Sequence, residues 1–196
     1  MSTPLAFAFG YLCGSIPFAF LLPRHTRGVD LRRAGSGNLG AANVMRTAGP
    51  ALAFMVLALD AAKGGAAVLL ANRLAPPLFA PAVAGVAAVL GHAYPVWMRF
   101  RGGKGVATMF GVFVVLAPAA AALCVGVFLV TLWSTKYVSL GSVMSAAALS
   151  PVAYLWRAPA HVVIAAAAVA VIVVERHRAN IARLQAGTER RFGQRV

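Results

Sequence analysis

Val106-Ala-Thr-Met-Phe-Gly-Val-Phe-Val-Val-Leu-Ala-Pro-Ala-Ala-Ala-Ala-Leu-Cys-Val-Gly-Val-Phe-Leu-Val-Thr-Leu-Trp133 is an apolar run of about 28 residues with a proline near its middle. One helix crossing a hydrocarbon core of about 30 Å needs roughly 20 residues, so the run is long for one crossing and short for two. The other apolar blocks are plainer. They run from Pro4 to Leu22, Ala51 to Ala71, Leu78 to Met98, Leu140 to Trp156 and Ala160 to Val174, each bounded by polar or charged residues. With 61% hydrophobic and only 11% charged residues, against the roughly one quarter charged in soluble domains, the chain belongs in a bilayer.

Charge parity decides how Val106 to Trp133 is divided. If it forms two short helices, Val106 to Ala117 and Pro118 to Trp133, there are seven spans. With the N-terminus outside, one face then receives Arg24, Arg27, Arg32, Arg33, Arg46, Arg99, Arg101, Lys104, Lys136, Arg176, Arg178, Arg183, Arg190, Arg191 and Arg195, and the other only Arg73 and Arg157. A single crossing would put Lys136 and the Arg-rich tail outside, against the tendency of basic loops to stay cytoplasmic. The expectation is therefore an all-α, polytopic integral membrane protein of seven transmembrane helices, N-terminus outside and C-terminus cytoplasmic, forming one domain over residues 1–196. Pro4 to Leu22 has no basic residue before it and no cleavage site after it, so it reads as a retained first span.

The net charge of +14 would suggest nucleic acid in a soluble protein. Here orientation accounts for most of it, and no nucleic-acid partner is expected. Cys13 and Cys124 lie inside apolar runs without metal-ligand spacing, so neither a disulfide nor a metal site is expected.

Chemistry concentrates in three polar segments. The first, Asp30-Leu-Arg-Arg-Ala-Gly-Ser-Gly-Asn-Leu-Gly-Ala-Ala-Asn-Val-Met-Arg46, matches the dinucleotide fingerprint at Gly35, Gly37 and Gly40, but it follows a membrane helix rather than a β-strand, which excludes that cofactor. Its glycines can turn amides toward an anion, Ser36 and Asn38 add neutral donors, and Asn43 and Arg46 share a helix face. A tight turn before the second span is the plainer alternative. In the second segment, Arg99-Phe-Arg-Gly-Gly-Lys-Gly-Val-Ala-Thr108, Gly102, Gly103, Lys104 and Gly105 open a helix, so free amides, the helix dipole and an ammonium group favour one anion. The spacing is not that of a Walker loop, and a snorkelling basic anchor is the alternative. In the third, His177, Asn180 and Arg183 recur every three residues as a polar stripe, or else as headgroup anchors. Asp60 and Lys63, three apart at mid-depth, are expected to pair, and Ser139, Ser142 and Ser145 repeat every three residues in the sixth span. His25 and Asp30 have a His-x4-Asp spacing, read here as coincidence because no globular domain surrounds them.

Taken together, Gly35-Ser-Gly-Asn-Leu-Gly-Ala-Ala-Asn-Val-Met-Arg46, Gly91-His-Ala-Tyr-Pro-Val96 with Gly102-Gly-Lys-Gly-Val-Ala-Thr108, and Arg176-His-Arg-Ala-Asn-Ile-Ala-Arg183 with Gly187-Thr-Glu189 closely resemble the PlsY family, over nearly the whole chain. That resemblance implies a bacterial inner-membrane acyl-phosphate:glycerol-3-phosphate acyltransferase with its site on the cytoplasmic face. It implies that Ser36, Arg46, His177 and Asn180 act in catalysis, that Gly102, Gly103, Lys104 and Gly105 meet acyl phosphate, and that Glu189 is structural. Ala42 stands where the family has Thr. Lys104 joins the catalytic set as a cation. Gly35, Gly37, Asn38, Gly40, Asn43, Ser142 and Arg183 complete the expected substrate contacts. The expected reaction joins acyl phosphate to the sn-1 hydroxyl of glycerol 3-phosphate, on a monomer, beside membrane lipid, with no cofactor. A transporter is the rival class, disfavoured because the motifs gather at one face rather than the midplane. A lipid-anchor protein leaves Ser36, Asn38 and Asn180 without a purpose.

Overall fold

Proline and glycine set most of the breaks. A computed structural model describes residues 2–74 and 78–193, and among these every regular element is helical. Arg195 lies outside the described residues. The elements are α1 (Thr3–Gly14), α2 (Phe18–Arg27), α3 (Ala41–Thr47), α4 (Pro50–Leu74), α5 (Ala80–Ala93), a 3-10 turn (Val96–Met98), α6 (Val106–Leu116), α7 (Pro118–Thr135), α8 (Val138–Leu155), α9 (Ala160–Arg176) and α10 (Arg178–Gln185).

The apolar run at 106–133 divides as its proline suggests. Pro118 opens α7, while Ala117 is extended at φ −152° and donates its amide to Phe113 O. The eleven residues of α6 rise only about 16 Å, little over half a hydrocarbon core. Five segments are long and apolar enough to cross a bilayer, and a sixth, Ala160–Arg176 with Arg178–Gln185, joins them if a pair bent by 59° counts as one span. The first expected span stands as one apolar segment, Thr3–Arg27, but it is broken inside and runs further than expected. Pro17 lacks an amide donor and disfavours helical geometry at Ile16, so the helix breaks at 15–17 and α2 then continues past Leu22 to Arg27, where left-handed Gly28 ends it.

Two main cores and a small alanine cluster of Ala6, Ala71, Ala80 and Ala84 hold the helices. The larger joins α4 to α9 through Met109, Val112, Phe113, Leu149, Ala166, Val169 and Val173. The smaller, with Ala19, Leu31, Leu39, Val44 and Val56, fastens the first polar loop and α3 onto α4. Small residues bring backbones together where lipid gives no hydrophobic drive between helices. Gly10 and Gly14 of α1 lie on Ala84 and Ala88 of α5, and Gly64 and Gly111 seat α4 against α6. Leu129, Val130 and Trp133 of α7 remain exposed, an apolar face suited to lipid.

A methyl added at Gly111 would come within 1.8 Å of Ala61 O, whereas one at Gly126 of α7 would meet nothing within 4 Å. Gly111→Ala should cost about 1–3 kcal/mol by forcing α4 and α6 apart. Gly126→Ala should be neutral or stabilising by about 1 kcal/mol through helix propensity. Thermal unfolding of both variants in detergent checks the contrast.

Candidate active site

The three polar segments meet at one end of the helical bundle. In the first, Asn43 is buried at 2% exposure and organises the loop around itself. Its Nδ2 donates to Ala34 O at 3.0 Å and Asn38 O at 3.1 Å, while its Oδ1 accepts from Ser36 N at 2.9 Å. Gly35 has φ +62°, and a β-carbon there would stand 2.2 Å from Asn43 Oδ1, so glycine is required. Gly37, at φ +71°, completes the turn, and extended Gly40 precedes α3. This corrects the expected role of Asn43: its polar atoms are committed to the loop, not turned to a ligand with Arg46. Ser36 is exposed and Asn38 partly so. Arg46, also exposed, lies within electrostatic range of Arg183, Arg190 and Glu189 of the tail.

The glycine-rich segment is held on both sides. Gly102 N donates to Ala93 O and Gly103 N to His92 O, each at 3.1 Å. The Arg176 guanidinium donates to Gly103 O through Nε and to Gly102 O through Nη2, both at 3.0 Å, while lying over the Tyr94 ring. Tyr94 in turn donates to Glu175 Oε2 at 2.6 Å. The amides of Gly102 and Gly103 are therefore used by the end of α5, which corrects the expectation that they cradle an anion. The amides left for an anion are those of the first turn of α6, after Gly105 at φ +82°, since Met109 is the first to donate back along the helix. Arg99 and Phe100, both left-handed at φ 52° and 60°, make the tight reversal that delivers the segment, a conformation costing non-glycine residues roughly 1–2 kcal/mol each.

The third segment closes the site around one carboxylate. Glu189 Oε1 accepts from Asn180 Nδ2 at 2.6 Å and Ser139 Oγ at 2.7 Å, and Oε2 accepts from Arg183 Nε at 2.7 Å. Lys104 Nζ donates to Asn180 Oδ1 at 2.5 Å. Ser142, one turn further along α8, is back-bonded to Val138 O at 2.9 Å and buried, so its hydroxyl proton is already committed. His177 is 2% exposed at the bend between α9 and α10. Its Nδ1 lies 2.7 Å from Val173 O; a carbonyl only accepts, so Nδ1 carries the proton and the neutral ring offers a lone pair at Nε2.

Electrostatics follow from crowding cations beside low-dielectric walls. Burial, with Arg183, Arg46 and Arg176 nearby, brings Lys104 down to about 8 against the pull of Glu189. Burial and the Lys104 ammonium bring His177 down to about 4, so the ring is neutral at physiological pH. Burial alone would raise Glu189, but its bonds from Asn180, Ser139 and Arg183 keep it low and ionised. This end of the bundle thus carries an excess of positive charge around Glu189, a chemistry suited to phosphate.

Arg176, Ser139 and Tyr94 hold this geometry without having been expected at the site, although Arg176 and Tyr94 stand inside the quoted motifs. The coincidental pair stays apart: Asp30 binds Arg32 through contacts of 2.6 and 2.9 Å. Cys13 and Cys124 are free thiols.

The family model described as glycerol-3-phosphate acyltransferase matches residues 4–187. A Mesorhizobium japonicum glycerol-3-phosphate acyltransferase is 45% identical over 189 residues, 96% of this chain and 95% of its own length. One from Myxococcus xanthus is 49% identical over 187 residues, covering 93% of this chain and 96% of its own. A crystal structure of PlsY, an integral membrane glycerol 3-phosphate acyltransferase in its glycerol 3-phosphate form, superposes with a TM-score of 0.93 at 38% identity, covering 98% of this chain and 96% of that one. Its lysophosphatidic acid form superposes with a TM-score of 0.90 at 35% identity, over the same shares.

Asn43→Leu preserves size but leaves Ser36 N and two loop carbonyls without their partner. The expected cost is about 2 kcal/mol. Hydrogen exchange checks it, with lost protection confined to residues 31–47 and α4 unaffected.

Proposed function

The chain belongs to the glycerol-3-phosphate acyltransferase family, and from that premise we propose that it transfers a fatty acyl group from acyl phosphate to the sn-1 hydroxyl of glycerol 3-phosphate. The observation that carries this reading is the set of cations converging from three segments, Arg46, Lys104, Arg176 and Arg183, which outnumber the carboxylates beside them, Glu189 and Glu175. Two phosphate-bearing substrates repel each other, so holding both requires such an excess.

Arg46 and Lys104, with Ser36 and Asn38, bind the phosphates; the first turn of α6 supplies amides for the donor, and Asn180 sets the ammonium of Lys104. The hydroxyl oxygen attacks the acyl carbonyl carbon, the bond from that carbon to the bridging phosphate oxygen breaks, and the hydroxyl proton ends on the departing phosphate. Products are 1-acyl-glycerol 3-phosphate and inorganic phosphate. His177 Nε2, a lone pair in the neutral ring, accepts from the attacking hydroxyl and orients it. A ring held near 4 is a weak base, so a substrate phosphate oxygen is the better final proton acceptor. The chain works as a monomer and one membrane-embedded domain, since every group invoked comes from one copy.

The placement is a bacterial inner membrane with the site on the cytoplasmic face and seven crossings, N-terminus outside. Charge parity supports seven. The short α6 fits if the glycine-rich segment before it lies below the lipid boundary, where a carbonyl on an acyl chain is found.

Purified protein with labelled glycerol 3-phosphate should form lysophosphatidic acid from palmitoyl phosphate. Product from palmitoyl-CoA alone would overturn the donor assignment. His177→Asn should lose less than about tenfold in kcat, since an amide keeps a hydrogen bond; a loss of about 10²- to 10⁴-fold would make His177 the general base instead.

The pH profile has a definite sign. Lys104 is charged below about 8 and loses its proton above it, so kcat/KM should fall as pH rises through about 8. Bound phosphate favours the ammonium, so the same limb in kcat should lie higher. Lys104→Arg should remove the limb in both.

A further inference from the structure

Three ionisable residues remain without a role. Asp60 and Lys63 of α4 and His92 of α5 are each less than 10% exposed, deep among the helices. Asp60 Oδ1 lies 2.8 Å from Lys63 Nζ and 3.5 Å from His92 Nδ1. Lys63 Nζ also donates, at 2.8 Å, to Ile16 O, a carbonyl beside the break at Pro17. An ion pair at this depth is costly to bury, and replacing such pairs by apolar residues is often neutral or stabilising, so stability alone is a weak reason for it.

The trio lines a cavity of about 10 Å³, whose wall also includes Leu39, Gly102 and Gly103. That volume holds about one water. The contact of interest is with the cavity wall. His92 O accepts the Gly103 amide at 3.1 Å, and the His92 ring lies so close that a β-carbon on Gly103 would be 2.2 Å from Nε2. Leu39 O, from the first polar loop, would be 2.4 Å from the same β-carbon. One imidazole thus meets the glycine-rich segment where that segment meets the first loop, and the next residue along the chain is Lys104.

We propose that Asp60, Lys63 and His92 are positioning residues for Lys104. Asp60 faces the Nδ1 side of the imidazole at 3.5 Å and acts on it as a buried charge, Lys63 neutralises Asp60 and ties it to the break in the first span, and the packed ring and carbonyl of His92 set the height of Gly103. Arg176 presses the same glycines from the opposite side through their carbonyls. Lys104 is then presented to Asn180 and substrate by a backbone that cannot slide. The trio acts through Lys104 and touches neither substrate. This inference rests on the acyltransferase reading above, because Lys104 is useful there as a phosphate ligand.

The test uses the full chain in detergent and two variants. His92→Leu removes the ring contact, and Asp60→Asn/Lys63→Gln removes both charges together, so that no buried charge is left unpaired even if the first variant folds poorly. Two readouts are taken: kcat/KM with palmitoyl phosphate and glycerol 3-phosphate, and the labelling rate of Lys104 by an amine-acylating reagent relative to exposed Lys136. The chain has three lysines, Lys63, Lys104 and Lys136, so the ratio is read directly by mass spectrometry. A displacement of about 1 Å at Lys104 should lower kcat/KM by roughly 10- to 100-fold. The Lys104 to Lys136 ratio should rise at least about threefold as the tether to Asn180 loosens, while Leu149→Ala, destabilised in the core of α8 about 15 Å along the helix from Ser139, should leave the ratio unchanged. Lost activity with an unchanged ratio would make the trio merely structural, and unchanged activity would overturn the proposal outright. If the unmodified chain forms no product from these substrates, the acyltransferase reading fails instead, and the labelling ratio still reports whether the trio places Lys104.

Discussion

Glu189 is the counter-charge on which the polar end of the molecule depends. Its two oxygens gather Ser139 from α8, Asn180 and Arg183 from α10 and, through Asn180, Lys104 from the glycine-rich segment. Without it the tail would set cations against cations beside lipid, where poor screening makes repulsion expensive. With it, the segments are held together and yet not neutralised. Arg46, Lys104 and Arg176 leave a positive excess at this end of the bundle. That is electrostatic preorganisation: the cost of assembling the charges falls on folding, so binding and transition-state charge meet groups already in place.

The bond pattern also separates groups that build the site from groups left to act in it. Asn43, Gly102, Gly103 and Arg176 have their polar atoms directed at other parts of the protein. Ser36, Arg46, Lys104 and the Nε2 of His177 retain capacity for a ligand. Their motifs look uniform in sequence, but they mix the two kinds, with builders and actors often adjacent, as at Gly103 and Lys104.

Much of the fold was legible because its signals are local. The break at Pro118 and the C-terminal helix after Glu175 follow from residue type within a few positions. Pro17 carried an equally local signal that the apolar pattern obscured, since hydropathy is blind to a missing amide donor. The number of crossings was less legible because length and hydropathy of a short helix such as α6 do not say how far its neighbouring loop dips into the boundary. For the site, residue types and their grouping were readable, while commitments over long separations were not. Nothing near Asn43 in sequence says that its amide serves Ala34 and Asn38, and nothing near Arg176 points to the carbonyls of Gly102 and Gly103, over seventy residues away.

The short helices also bear on how a water-soluble and a lipid-soluble reactant can meet. The eleven residues of α6 rise about 16 Å, little over half the core of about 30 Å, while α5 reaches about that length only with the 3-10 turn that follows it. On the proposed placement the loop before α6 then sits inside the boundary unless the bilayer thins. The loop here is the glycine-rich one, pinned at both edges by α5 carbonyls and Arg176, so it cannot simply rise to the surface. On the proposed reading an acyl chain stays in lipid while its activated carbonyl lies level with Lys104, and a small phosphate monoester descends toward the cations rather than the chain being lifted into water. Lifting would cost about 0.8 kcal/mol for every methylene exposed. In that proposal the cost of lowering a charged ester is compensated by the cation cluster, which gives crowded and partly desolvated arginines and a lysine a purpose there.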